Sequence, residues 1–176
     1  MHPIFNPANA ITASRYLTIV PFAYYAKVGD IQKAGIALLL CGVADLFDGL
    51  AARIFKCSSG FGEFFDAATD GLCYGFFLIW LVMYGYLPVV PIAGLLTIGV
   101  INSVFRAVYA KRAGRATNYR SIGMELMVGY MAYLIGFGLT GLEPVFYAWL
   151  CFGVTAFVFL HDSKRMLIDP IPSFDS

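Results

Sequence analysis

Charge is scarce in this chain. Only 13% of the 176 residues are Asp, Glu, Lys or Arg, against 60% that are hydrophobic. A soluble domain is usually nearer a quarter charged and half apolar, and one small core cannot hide this excess. With a mean hydropathy of +0.75, the composition points to a polytopic membrane protein. A net charge of +1 excludes a global pull toward nucleic acid. The four cysteines, Cys41, Cys57, Cys73 and Cys151, form no C-x-x-C pair, which reads as small core residues rather than a redox or zinc motif. The polar, proline-containing start lacks a basic n-region, so no cleavable signal is expected.

Charge is absent altogether from Gly71 to Phe105. As one helix those residues would run about 52 Å, well beyond a bilayer core of about 30 Å. The segment Tyr86-Leu87-Pro88-Val89-Val90-Pro91 supplies a break, giving a helical hairpin. Read the same way, the chain is a single all-α domain over residues 1–176 with six spans. These are Ala10–Val28, ended by Gly29-Asp30, then Ile31–Phe55, Phe61–Tyr86, Val89–Lys111, Ser121–Thr140, and a sixth that follows Gly141-Leu142-Glu143-Pro144 and ends near Leu160.

Loop charge orients the spans. One side collects Arg15, Arg53, Lys56, Arg106, Lys111, Arg112, Arg115, Arg120, Lys164 and Arg165, and the other only Lys27 and Lys33. By the positive-inside rule both termini are cytoplasmic.

Against this apolar background, Asp45 and Asp48 fall inside the second span, and Asp66 and Asp70 open the third. An intramembrane charge costs about 2.5–3.5 kcal/mol on insertion scales. Four carboxylates near one face would also repel one another. Hard divalent cations such as Mg²⁺ or Mn²⁺, which prefer oxygen ligands, would offset both penalties. The spacing agrees. Asp45, Asp48 and Ala52 share one stripe of a helix, and Gly62, Asp66 and Asp70 share another. Two antiparallel helices joined by a short loop would face these stripes together. The small residues Gly49, Ala52 and Gly62 leave room for a ligand, and Arg53 offers a fork suited to phosphate. A divalent-cation transporter or channel could use the same acids, but its path would continue across the membrane. Beyond Asp30 and Glu143 at the span ends, the far halves carry no acid.

The run Asp45-Leu46-Phe47-Asp48-Gly49-Leu50-Ala51-Ala52-Arg53, eight residues, Gly62, three residues, Asp66, three residues, Asp70 is similar to the signature of the CDP-alcohol phosphatidyltransferases, D-x-x-D-G-x-x-A-R-x8-G-x-x-x-D-x-x-x-D. Every fixed position matches. The resemblance implies transfer of a phosphatidyl group from a CDP-linked lipid to a small polar alcohol, with release of CMP. It implies two divalent metals, Mg²⁺ or Mn²⁺, on Asp45, Asp48 and Asp66, with Asp70 near enough to add a ligand and placed as the base. It implies a nucleotide pocket shaped by Gly49, Ala52, Arg53 and Gly62, and a homodimer.

The opening Asn9-Ala10-Ile11-Thr12-Ala13-Ser14-Arg15 resembles the family's N-x-I-T-x-x-R start and adds Asn9 and Thr12 on the nucleotide side. Locally, Asn9 reads as a helix cap and Arg15 as a positive-inside anchor. The basic run Arg106, Lys111, Arg112, Arg115 and Arg120 resembles the region that binds the acceptor phosphate in relatives using inositol phosphate. Read without that resemblance, it is an anchor on anionic headgroups. Many relatives that use glycerol phosphate carry Lys after the last motif aspartate, where this chain has Gly71, and Asp70–Gly75 resembles serine-using members. The acceptor stays open among inositol phosphate, glycerol phosphate and serine.

Overall fold

The structure is a computed structural model that describes residues 6–55, 59–112, 122–141 and 143–168. Every regular element among them is helical. The helices are α1 (Pro7–Ser14), a 3₁₀ turn (Arg15–Thr18), α2 (Ile19–Val28), α3 (Ile31–Ile54), α4 (Gly60–Met83), α5 (Val89–Arg112), α6 (Ile122–Thr140) and α7 (Pro144–Ile168). Ile31–Ile54, Phe64–Met83 and Pro144–Lys164 are long and apolar enough to cross a membrane, and Val89–Phe105 is a shorter apolar helix.

The expected first span is not one α-helix. It starts earlier, at Pro7, and is interrupted by the 3₁₀ turn. Pro21 explains the interruption: it has no N–H for the carbonyl of Leu17, and its ring crowds that carbonyl, so the turn before it tightens. The cap also differs from expectation. Asn6 is the N-cap, its side chain accepting the Asn9 N–H at 2.9 Å, and Asn9 lies inside the first turn with its side chain buried. At the other end of this arm, Gly29 takes φ +86°, which ends α2 and lets the Asp30 N–H reach the Tyr25 carbonyl.

The hairpin break falls where proline placed it. Helix α4 ends at Met83, somewhat before the expected Tyr86, and Gly85 with φ +75° turns the chain so that the Tyr86 N–H bonds the Leu81 carbonyl at 2.9 Å. The Tyr86 hydroxyl then donates to the Ala26 carbonyl at 3.0 Å, tying this turn to the end of α2.

Helix α3 packs against α6, α1 and α2. The α3–α6 contact is close. A Cβ added to Gly35 would stand 3.1 Å from the Gly136 carbonyl oxygen, and one added to Gly136 would stand 2.7 Å from Leu39. Small residues on both helices allow this approach, and close packing supplies dispersion contacts. The core holds Phe22, Leu38, Phe77, Leu81 and Ile135, with Cys41, Cys73 and Cys151 as small unbridged members; Cys57 lies outside the described residues. Large apolar side chains such as Leu17, Leu46, Phe64 and Leu160 point outward, a surface suited to acyl chains.

Helix α1 packs on both α3 and α4. Its arm runs antiparallel to α3, with Thr12 against Asp48 and Arg15 against Asp45. It runs parallel to α4, with Tyr16 on Thr69 at 3.1 Å and the Phe22 and Phe77 rings 4.5 Å apart. The two aspartate-bearing helices therefore face each other across α1 and do not simply close on one another as a hairpin.

Candidate metal and phosphate centre

Helix geometry delivers the four carboxylates to one end of the bundle. Asp45 and Asp48 lie near the C-terminal end of α3, and Asp66 and Asp70 in the first half of α4. Ligand atoms of Asp45, Asp48 and Asp66 lie within 4.8 Å of one another. Asp48 is buried, whereas the side chains of Asp45, Asp66 and Asp70 are partly open.

The residue that gathers them is Arg15. Its side chain is 0% exposed. Nη1 lies 2.8 Å from Asp45 Oδ1, 3.2 Å from Asp66 Oδ1 and 3.8 Å from Asp48 Oδ2. Nη2 bonds Asp70. The guanidinium also stands over the Tyr74 ring, 5.5 Å from its centroid, a cation–π distance. Arg15 thus touches all four acids, two from each helix. The reading of Arg15 as a loop anchor is corrected here: it is an internal counter-charge and does not count toward the positive-inside tally.

Around this centre the Thr12 hydroxyl donates to Asp48 Oδ2 at 2.8 Å. Asn9 comes up against α4, where a Cβ on Gly62 would lie 3.0 Å from Asn9 Oδ1. Ser59 caps α4 by accepting the Gly62 N–H at 3.0 Å. Thr12, Asn9 and Gly62, expected on the nucleotide side, are therefore grouped beside the aspartates. Gly49 faces open space, where an added Cβ would meet nothing within 4 Å; Ala52 is half-buried one turn on. Arg53 is exposed in the last turn of α3 and takes part in none of the described ion pairs. Arg106, Lys111 and Arg112 stand at the end of α5, but their side chains, like Arg115 and Arg120 entirely, lie outside the described residues.

The donor set fits a hard divalent cation. It is all carboxylate oxygen, three ligands are convergent, and the partly open rim leaves positions for a substrate oxygen. Charge balance agrees, since one guanidinium faces four carboxylates. A further sign is Arg15 Nε, buried with no hydrogen-bond partner among the described residues, a donor that a phosphate oxygen at this centre would satisfy.

Comparison with known proteins places this geometry. A family model described as CDP-alcohol phosphatidyltransferase matches residues 5–160, which takes in every element named above except the end of α7. A Rickettsia felis protein named CDP-diacylglycerol–glycerol-3-phosphate 3-phosphatidyltransferase is 30% identical over 89 residues, 49% of this chain and 49% of that protein. A Drosophila melanogaster protein named Probable cardiolipin synthase (CMP-forming) is 31% identical over 120 residues, 68% of this chain and 35% of that protein. The matched regions thus span half or less of these relatives' length. No solved structure matches. With the signature intact, its carboxylates convergent and the family match running through nearly the whole chain, this protein belongs to the CDP-alcohol phosphatidyltransferase family.

Proposed function

We propose that the protein transfers a phosphatidyl group from CDP-diacylglycerol to the hydroxyl of a small polar alcohol, releasing CMP. The observation that carries this reading is the convergence of Asp45, Asp48 and Asp66 at one end of an apolar bundle, with Asp70 on the same cation. The names of the two relatives support the donor and the product.

Asp45, Asp48 and Asp66 would hold two divalent ions, Mg²⁺ or Mn²⁺, with Asp70 at their edge. When bound, such ions grip a pyrophosphate and spread the charge of a leaving phosphate. Gly49 keeps the α3 side of the cleft open for the nucleotide. Asn9, Thr12, Ala52, Arg53 and Gly62 shape its walls. Asp70, partly open to the cleft, takes the proton of the acceptor hydroxyl. The acceptor oxygen bonds to the lipid-side phosphorus, and the bond from that phosphorus to the CMP oxygen breaks in line. No covalent intermediate on the protein is needed.

The acceptor we favour is a phosphorylated polyol. The glycerol 3-phosphate in the Rickettsia relative's name supports it, as does the basic run Arg106 to Arg120, whose charges suit a phosphate; Gly71, in the place of a lysine, speaks against glycerol phosphate, so inositol phosphate stays beside it among the polyols and serine stays in the panel. The same reading carries a six-span, single-domain chain with both termini and the site at the cytoplasmic face, and a homodimer.

The test is CMP release from CDP-diacylglycerol with Mg²⁺ or Mn²⁺ and a panel of glycerol 3-phosphate, inositol phosphate, inositol, serine and ethanolamine. Acceptor-dependent CMP that disappears in Asp70→Asn establishes the transfer and names the acceptor. Failure of a folded, metal-binding chain to bind the CDP-lipid sinks it in favour of an ion-conducting role for the acids.

A further inference from the structure

Arg15 occupies the ground that the divalent ions would take. Its Nη1 stands among the same three carboxylates whose oxygens converge. Mg²⁺ sits about 2.0–2.1 Å from its oxygens, so a metal ion and a guanidinium nitrogen cannot share that space without strong like-charge repulsion. We propose that Arg15 is a resident counter-ion that competes with divalent cations for the aspartate cluster, and that metal loading turns its guanidinium away from Asp45 and Asp66 and releases Asp70.

Three observations say the side chain can move. Arg15 lies in the 3₁₀ turn between α1 and α2, a tighter and less regular backbone than the helices around it. Its Nε has no hydrogen-bond partner among the described residues to lose. The Tyr74 ring, over which the guanidinium already stands at 5.5 Å, is a contact it can keep while leaving the carboxylates. The consequence follows from Nη2. While Arg15 is seated, Asp70 is held in an ion pair and its carboxylate is engaged. Once the metal is in place, the same carboxylate is open to an acceptor proton, and the freed fork of Arg15 faces incoming phosphate oxygens. Arg15 would then be a positioning residue that makes the base available only in the loaded centre.

The proposal rests on the metal-dependent reading above, and its test omits donor and acceptor so that the two can fail separately. Mn²⁺ is titrated into the purified full chain in detergent, with free Mn²⁺ followed by electron paramagnetic resonance, for wild type, Arg15→Gln and Arg15→Lys. Removal of a competing cation makes Arg15→Gln bind Mn²⁺ more tightly, by about tenfold or more, while Arg15→Lys stays near wild type. A merely structural Arg15 would give the opposite sign. Equal or weaker binding in folded Arg15→Gln overturns the proposal.

Should Arg15→Gln not fold, the wild-type chain carries the test. Phenylglyoxal labelling of Arg15, read by peptide mass spectrometry, should rise at saturating Mn²⁺. Equal protection with and without the metal overturns the proposal. A chain that shows this competition yet releases no CMP sinks the transfer reading alone, and an active chain without it sinks only the displacement of Arg15.

Discussion

The hydroxyl of Thr12 donates a 2.8 Å hydrogen bond to Oδ2 of Asp48 across the α1–α3 interface. Asp48 is the one cluster carboxylate turned away from solvent, so it depends on this bond for solvation. The Ala8 carbonyl, 3.1 Å from the same hydroxyl, competes for the proton but carries no charge. Thr12→Val keeps the shape and removes the donor. It should cost about 1.5–3 kcal/mol, the range for a hydrogen bond to a charged group. It should also weaken Mn²⁺ binding by roughly 10-fold or more, as loss of an outer-shell partner does. Thermal melts in detergent and metal titration read the two effects separately.

Asp48 and Asp70 should part company on substitution. Asp48 belongs to the convergent triad, so Asp48→Asn should lose metal binding and CMP release together. Asp70 joins the centre through Arg15 and is assigned the proton. Asp70→Asn should keep most Mn²⁺ affinity while CMP release falls by about 10²–10⁴, the range for a general base. Equal loss of metal in both variants would remove Asp70 from that role.

Two glycines of α3 separate stability from function. A methyl at Gly35 would meet the Gly136 carbonyl oxygen at 3.1 Å and Thr140 Cγ2 at 2.9 Å. Backbone gives way poorly, so Gly35→Ala should destabilise by about 1–3 kcal/mol. A methyl at Gly49 meets nothing within 4 Å. Gly49→Ala should melt like wild type and show its effect as a raised KM for the CDP-lipid.

At the opposite end of α3, Asp30 is the N-cap, accepting the Lys33 N–H at 3.2 Å and pairing with Lys33 Nζ at 2.7 Å. The Lys33 side chain first, and its backbone N–H second, hold the Asp30 carboxyl below its ordinary 3.8. A lowered carboxylate pKa contributes stability that is present above the unfolded value and lost as pH falls through the folded one. The melting difference between wild type and Asp30→Ala should therefore hold from neutral pH down to about 4 and vanish below that. The pair is exposed, so the difference should be small and shrink with salt.

The aspartate stripes were legible because helical spacing is local: three and four residues fix a shared face without knowledge of the fold. The hairpin at Pro88 and Pro91 and the end of α2 at Gly29 were legible for the same reason. Arg15 was not, because its partners lie 30 to 55 residues away and loop counting assigned its charge to the membrane surface. One signal was available. Four acids in an apolar chain need a nearby cation, and Arg15 falls inside the predicted first span. Pro21 likewise marked the break in the first span, yet an apolar run on both sides concealed it. Arg53, which the motif match assigns to the nucleotide side, is exposed in the last turn of α3 and takes part in none of the described ion pairs.

Because α1 packs on both α3 and α4, it sets how far apart the two aspartate-bearing helices stand. The buried side chains of α1 are short: Ala8, Asn9 and Thr12. They work as a shim. A bulkier residue at Ala8 would spread the carboxylate pairs without altering any of them, and the gauge of the site is thus written in the first turns of the chain, well upstream of the motif whose acids it spaces.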